Sequence, residues 1–216
     1  MKLQFGVLSV LSLGLICAVA SVPASASTLY SNVGPGSYGN GVDVAFQING
    51  GYAVTDSFTL GPNTSIGGAD FVSWVTTGDW MTNVNWEITT AAFGGTVEAS
   101  GTGAVVSGTD LNNSEYGFDS YLELLSIPDL TLPAGTYWFQ LANGVTAQSG
   151  VAYWDESDGS SAAVQDFNGV YQQGTADSSM SGSETFDILS PEPSSLLLLG
   201  SGLVGLAGMI RRKIRS

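Results

Sequence analysis

Three tryptophans and two runs of carboxylates are the side chains whose types and spacing suit binding chemistry. Trp138 sits in Tyr137-Trp138-Phe139-Gln140-Leu141. Strand side chains alternate between faces, so Trp138 points away from a core that takes Tyr137, Phe139 and Leu141. The same alternation sets Trp154 opposite Tyr153 and Val151. Trp80 follows Gly78-Asp79 in a loop. An exposed indole gives a sugar ring a flat apolar face to stack on, and nearby Asp or Asn side chains can bind its hydroxyls. The competing reading packs these rings beneath loops or between sheets, because Trp is highly buried on average. Trp86, in the alternation Val84, Trp86, Ile88, is assigned to the core.

The acidic runs point to a different ligand. Asp155, Glu156 and Asp158 gather beside Trp154, and Asp110, Asn112, Asn113 and Glu115 form a second group. Calcium takes about six to eight oxygen ligands from carboxylates, amides and carbonyls. Each run therefore reads as a calcium loop or as a solvated acidic turn, and neither has the spacing of an EF-hand. No cofactor is expected, with calcium at Asp155, Glu156 and Asp158 as the one candidate. A carboxylate pair about 5–10 Å apart could cleave a glycosidic bond, but no pair among so many acids stands out. The G-x-S-x-G elbow is absent, and a Ser nucleophile would lack its usual His base. The domain is expected to be non-enzymatic, with no catalytic residues.

The elements that would position these groups read as strands. Val42, Val44, Phe46 and Ile48 alternate with Asp43, Ala45 and Gln47, and Tyr52, Val54, Phe58 and Leu60 continue the period, with Asp56 breaking one inward position. Gly61-Pro62-Asn63, Gly94-Gly95 and Pro133-Ala134-Gly135 punctuate the alternation as turns. Gly174 to Gly182 reads as a loop, and Thr185–Leu189 as a closing strand. No helical run stands out between the termini. Short strands with frequent turns predict an all-β fold, an antiparallel β-sandwich of jelly-roll type.

Charge narrows the partners. The 216 residues include 5 basic and 19 acidic side chains, no His and one Cys, for a formal charge of −14. All five cations are terminal: Lys2, Arg211, Arg212, Lys213 and Arg215. Residues 27–190 therefore have no cation with which to neutralise phosphates, and nucleic acid is excluded as a partner. Without His or Cys, the same stretch has no zinc, iron–sulfur or imidazole chemistry. Repulsion among its carboxylates predicts pKa values above about 4, so stability should fall as pH rises from there toward neutrality and salt should restore part of it.

Both ends read as processing segments. Residues 1–26 combine Lys2, an apolar run from Phe5 to Ala20, the helix-breaking Pro23 and the small-x-small Ala24-Ser25-Ala26, the pattern of a secretory signal peptide. This implies the Sec translocon and signal peptidase as partners, and Cys17 leaves with the signal. In residues 191–216, Pro191-Glu192-Pro193 precedes an apolar run, Leu196–Ile210, and a basic tail of Arg211, Arg212, Lys213 and Arg215. Fifteen residues rise about 22 Å, short of the roughly 30 Å hydrocarbon core, and snorkelling Arg side chains can make up part of the difference. The positive-inside rule keeps the tail cytoplasmic and puts the preceding domain outside. Residues 27–190 are then a single ectodomain between signal and anchor.

The C-terminal arrangement closely resembles the PEP-CTERM sorting signal of Gram-negative bacteria; a plain type I membrane anchor is the alternative. The resemblance implies an exosortase as partner, a transient inner-membrane intermediate, and delivery to the cell surface or exopolysaccharide matrix. Leu132-Pro133-Ala134-Gly135-Thr136-Tyr137-Trp138 also looks like a turn-and-strand motif of many such ectodomains, which mostly lack an assigned function. The reading is an exported non-enzymatic surface or exopolysaccharide-matrix protein. Two alternatives stand beside it, a carbohydrate-binding module using Trp80, Trp138 or Trp154, and a calcium-stabilised adhesin.

Overall fold

The computed structural model describes residues 26–33, 45–115, 117–157, 159–173 and 182–191. Apart from Ala26, the expected signal segment lies outside these residues, as do the expected transmembrane helix 196–210 and most of the 174–182 loop. Among the described residues the chain is all β, with no helix.

The strands are β1 (Thr28–Ser31), β2 (Ala45–Gln47), β3 (Tyr52–Leu60), β4 (Thr64–Thr76), β5 (Met81–Ala91), β6 (Gly94–Ala104), β7 (Val106–Glu115) and β8 (Phe118–Leu132). They continue with β9 (Gly135–Thr146), β10 (Ala152–Ser157), β11 (Val164–Phe167), β12 (Val170–Gln173), β13 (Ser183–Glu184) and β14 (Phe186–Leu189). Every pairing is antiparallel, and the strands form two sheets. In one, β1, β14, β4 and β8 lie side by side. In the other the order is β3-β9-β5-β6, extended by β11 and β12 beyond β3. The first strand thus pairs with the last, β3, β4 and β5 alternate between the sheets, and β5 and β6 form a hairpin within one of them, so these eight strands have the jelly-roll arrangement.

The alternation read from the sequence fills the space between the sheets. Val54, Phe58 and Leu60 of β3, Val84, Trp86 and Ile88 of β5, and Tyr137, Phe139 and Leu141 of β9 are all buried. They meet Phe71, Leu125, Phe186 and Ile188 from the other sheet in one core. The β3–β4 turn falls at Gly61-Pro62-Asn63, where Asn63 takes φ 53°, a left-handed conformation that Asn tolerates better than most residues. The expected Gly94-Gly95 turn is shifted. Ala92 and Phe93 make it, and Gly95 adopts φ 72° at the start of β6.

The larger sheet departs from a simple jelly roll at a fork. β8 runs along one side of β4 for its whole length. The other side is divided, with β14 against Gly68–Phe71 and β10 against Ser73–Val75. Past that point β10 leaves β4 and pairs with β13. Thr185, between β13 and β14, fills the crotch. Its amide donates to the Asp155 carbonyl (2.7 Å), and its carbonyl accepts from Val72 N–H (3.3 Å). Trp154 seals the fork, with its indole N–H donating to the same Thr185 carbonyl at 3.0 Å. Its ring meets Phe71, Phe139 and Phe186 edge-on, at centroid distances of 6.2, 5.6 and 5.6 Å.

Trp154 is 0% exposed, so replacing it with Ala removes a large fully buried ring and one buried hydrogen bond. A loss of about 3–5 kcal/mol is expected for a core Trp→Ala change, with a smaller loss for Trp154→Phe. Urea denaturation of the two variants checks the order.

Candidate functional site

Asp79 organises one end of the sandwich. Its Oδ1 accepts from the amides of Trp80 and Gln148, both at 2.9 Å, and its Oδ2 from Gly150 N–H at 3.2 Å. Burial alone would raise this carboxyl. The Thr146 hydroxyl and the three amides outweigh it and hold the group below the ordinary Asp value. The β4–β5 loop is thereby tied to the β9–β10 loop, and the Trp80 carbonyl accepts from Ala147 N–H (3.0 Å). Trp80 is left 53% exposed on a fixed backbone.

Beside Trp80 a cleft of about 500 Å³ is lined by Met81 and Thr82 of β5, Val105, Gly108 of β7, and Tyr121 and Glu123 of β8. Glu123 is directly opposite Phe71 in the β4–β8 ladder, and therefore on the inner face. Ser73 Oγ donates to its Oε1 at 2.8 Å; Oε2 is buried and has no partner. A Cβ on Gly108 would stand 2.5 Å from that oxygen, so the glycine makes the room the carboxylate occupies. Burial pushes the Glu123 carboxyl up to about 7, against the lowering effect of the Ser73 hydroxyl. Burial also raises the Tyr121 hydroxyl, helped by the charges of Asp119, Asp110, Glu123 and Asp79, and keeps it a neutral donor. The cleft thus has an aromatic rim and a hydroxyl, with a carboxyl buried in its wall that keeps one oxygen without a partner.

The other tryptophans lie elsewhere. Trp138 is half-buried on the outer face of the six-stranded sheet, opposite Ser57 and Thr89, the face expected from alternation. Trp154 reverses its expectation. Alternation along β10 holds, but Trp154 takes the core side and Tyr153 the outer one, so Trp154 cannot be a sugar platform. The acidic run beside it is also corrected. Asp155 and Glu156 are not in a solvated turn but on buried β10. As consecutive strand residues they face opposite ways and cannot share an ion as neighbours; Asp158 lies outside the described residues.

Sequence reasoning missed a second polar centre at the fork. Asp56, the residue that broke the inward alternation of β3, is fully buried. Its Oδ2 accepts from Ser161 Oγ (2.7 Å), Glu184 N–H (2.8 Å) and Asn32 Nδ2 (3.2 Å), and its Oδ1 from Ser57 N–H (2.6 Å). Asn32 Nδ2 also reaches the Glu184 carbonyl at 2.6 Å. Asp56 and Asn32 thus satisfy the backbone of Glu184 where β1 has ended. Burial raises Asp56 to about 6 despite these donors, and Asp155 and Glu156 each to about 7. The inward Asp was the legible signal for this centre; nothing in the sequence marked Asn32, Ser161 or Glu184.

The end of the domain is equally well defined. Ser27–Pro191 is one compact unit. Ser190 N–H donates to the Ser27 carbonyl and Ser27 N–H to Ser190 Oγ, both at 2.8 Å. Pro191 packs so closely on Gly67 that a Cβ there would stand 2.7 Å from the proline nitrogen. Residues 191–213 match the PEP-CTERM protein-sorting motif, and no curated protein matches the chain. Pro191 is thus both the last residue of the folded unit and the first of the sorting motif. Glu192, Pro193, Arg211, Arg212, Lys213 and Arg215 lie outside the described residues.

Desolvation raises the inward carboxyls, where sequence reasoning invoked repulsion, and both give the same sign. Between the ordinary Glu value and about 7, the folded state keeps a proton on Glu123 that the unfolded chain has lost. The contribution of each such group to stability is therefore fullest below the ordinary Glu value and falls as pH rises through that window, by up to about 1.4 kcal/mol per pH unit. In urea titrations from pH 5 to 8, Glu123→Gln should flatten the decline by about one group's share. An unchanged slope would place the titration elsewhere.

Proposed function

We propose that this chain is a non-enzymatic surface or matrix protein, a jelly-roll domain that an exosortase releases from its membrane tail into the cell surface or exopolysaccharide layer. The PEP-CTERM motif makes it an exported, exosortase-processed protein with a membrane-anchored intermediate. The observation that carries the reading further is the junction at Pro191. The sandwich closes through β1–β14 and the Ser27–Ser190 clasp immediately before the motif, so removal of the tail leaves every described strand in place. The signal-peptidase product would begin at Ser27, beside the same clasp.

A second reading is favoured by the Trp80 cleft. A ring that is exposed yet fixed at the backbone, over a hydroxyl and a carboxyl with a free oxygen, suits a saccharide that stacks on Trp80 and offers hydroxyls to Glu123 and Tyr121. Because the domain has no cation, neutral or amino sugars suit it better than anionic ones.

Intact-mass measurement of protein recovered outside the cell should give a chain beginning at Ser27 and ending at or after Pro191, without the apolar tail. Recovery with the tail attached, or trimmed into β14, would overturn the first reading. On a glycan array, Trp80→Ala should abolish saccharide binding and Trp138→Ala should leave it intact. Equal binding by wild type and Trp80→Ala would remove the cleft from consideration.

A further inference from the structure

Glu184 is the least compensated group among the described residues. Its side chain is wholly buried, and neither carboxylate oxygen has a hydrogen-bond partner. It stands directly opposite Glu156 in the β10–β13 ladder. Opposed residues of an antiparallel pair share a face with Cβ atoms about 4.5–5.5 Å apart, so the two carboxylates lie side by side. Glu156 is 1% exposed, and its Oε1 is likewise buried without a partner. The charges of Asp56, Glu156 and Asp155 all reach Glu184.

Two adjacent buried carboxylates cannot both stay ionised without a compensating charge. The domain's own sequence offers no Lys, Arg or His to supply one. Asp56 relieves nothing, because its oxygens are already engaged by Ser161, Asn32, Ser57 and the Glu184 amide.

We propose that Glu156 and Glu184 hold one divalent, oxygen-preferring cation, calcium, at the fork of the eight-stranded sheet. Two carboxylates match a double positive charge, and hard oxygen donors select calcium or magnesium over softer metals. Among the described residues no three acidic side chains form a ready-made cage, so hydroxyl or carbonyl oxygens and water complete the shell. Calcium, which accepts irregular shells, suits this better than magnesium, which demands a regular octahedron. A site of this kind falls in the range of extracellular calcium modules, with Kd about 10⁻⁴–10⁻³ M. The ion would fasten β13 to β10 where β10 has left β4. The acidic residues singled out in the sequence were Asp155, Glu156 and Asp158; the ladder replaces two of them with Glu184.

The test uses the full chain in detergent, stripped with EGTA at pH 7.5 and melted with calcium chloride, then with magnesium chloride at equal ionic strength. At about a hundredfold excess over Kd, calcium should raise Tm by roughly 5–10 °C, and magnesium by clearly less. Calorimetric titration with calcium should give one ion per chain. Glu184→Gln should lose the calcium shift while melting no lower than stripped wild type, because the amide removes the repulsion. Glu156→Gln provides the same comparison if Glu184→Gln fails to fold, and Glu87→Gln, away from the fork, should keep the shift. The proposal is overturned if calcium does not move wild-type Tm beyond magnesium, or if both fork variants keep the shift. A flat calcium response with a more stable Glu184→Gln would identify a proton, not a metal, as the neutralising species.

Discussion

A carboxylate buried in a domain without cations has only three stabilising partners: hydrogen-bond donors, a proton, or an ion from solution. That constraint shapes both polar centres of this sandwich. At Asp56 the donors are assembled from four parts of the chain, and Asn32, Ser57, Ser161 and Glu184 surround it. At Glu123 a single hydroxyl serves one oxygen and the other stays uncommitted at a cleft. At Glu184 no donor arrives at all. The sequence of cases runs from a structural carboxylate, fully satisfied, to groups whose unmet demand makes them candidates for a ligand.

The fork explains why Asp56 and its partners are inside. β4 is too long for one partner on its β14 side, so β14 and β10 divide it, and the β13–β14 segment enters the gap. A split ladder exposes backbone groups that must be paired. Thr185 supplies the pairing along the strand, the Trp154 indole adds a second donor to the Thr185 carbonyl, and Asp56 with Asn32 completes the edge at Glu184. Asp56 and Asn32 are therefore buried because irregular backbone needs them, and the aromatic cluster around Trp154 packs against the junction.

Closure and sorting meet at the opposite margin of the same sheet. Pairing the first strand with the last brings the expected signal-peptidase product terminus beside the start of the sorting motif, and Gly67 gives Pro191 room to dock. A domain closed in this way does not depend on the segments that the proposed processing would remove, in keeping with a passenger handed from one membrane enzyme to another.

Local pattern was enough for much of this protein. Period-two alternation identified the inward faces of β3, β5 and β9, placed Trp86 in the core and Trp138 on the outer face, and flagged Asp56 as an inward anomaly. The Pro-Glu-Pro, apolar and basic series identified the sorting motif, because such a signal is read by its receptor as linear sequence. What alternation cannot supply is polarity where a strand's two faces are both apolar or both polar. Along β10, Trp154 and Tyr153 are equally plausible core residues, and only the fork, with Thr185 and Phe186 on one side, turns Trp154 inward. Nor can it show which distant residues become neighbours. Asn32, Asp56, Ser161 and Glu184 are spread from one end of the domain to the other, and only the pairing of β1 with β14 and of β10 with β13 brings them together. Strand faces follow from local sterics; strand partners follow from how two whole sheets close on each other, and that was settled in three dimensions.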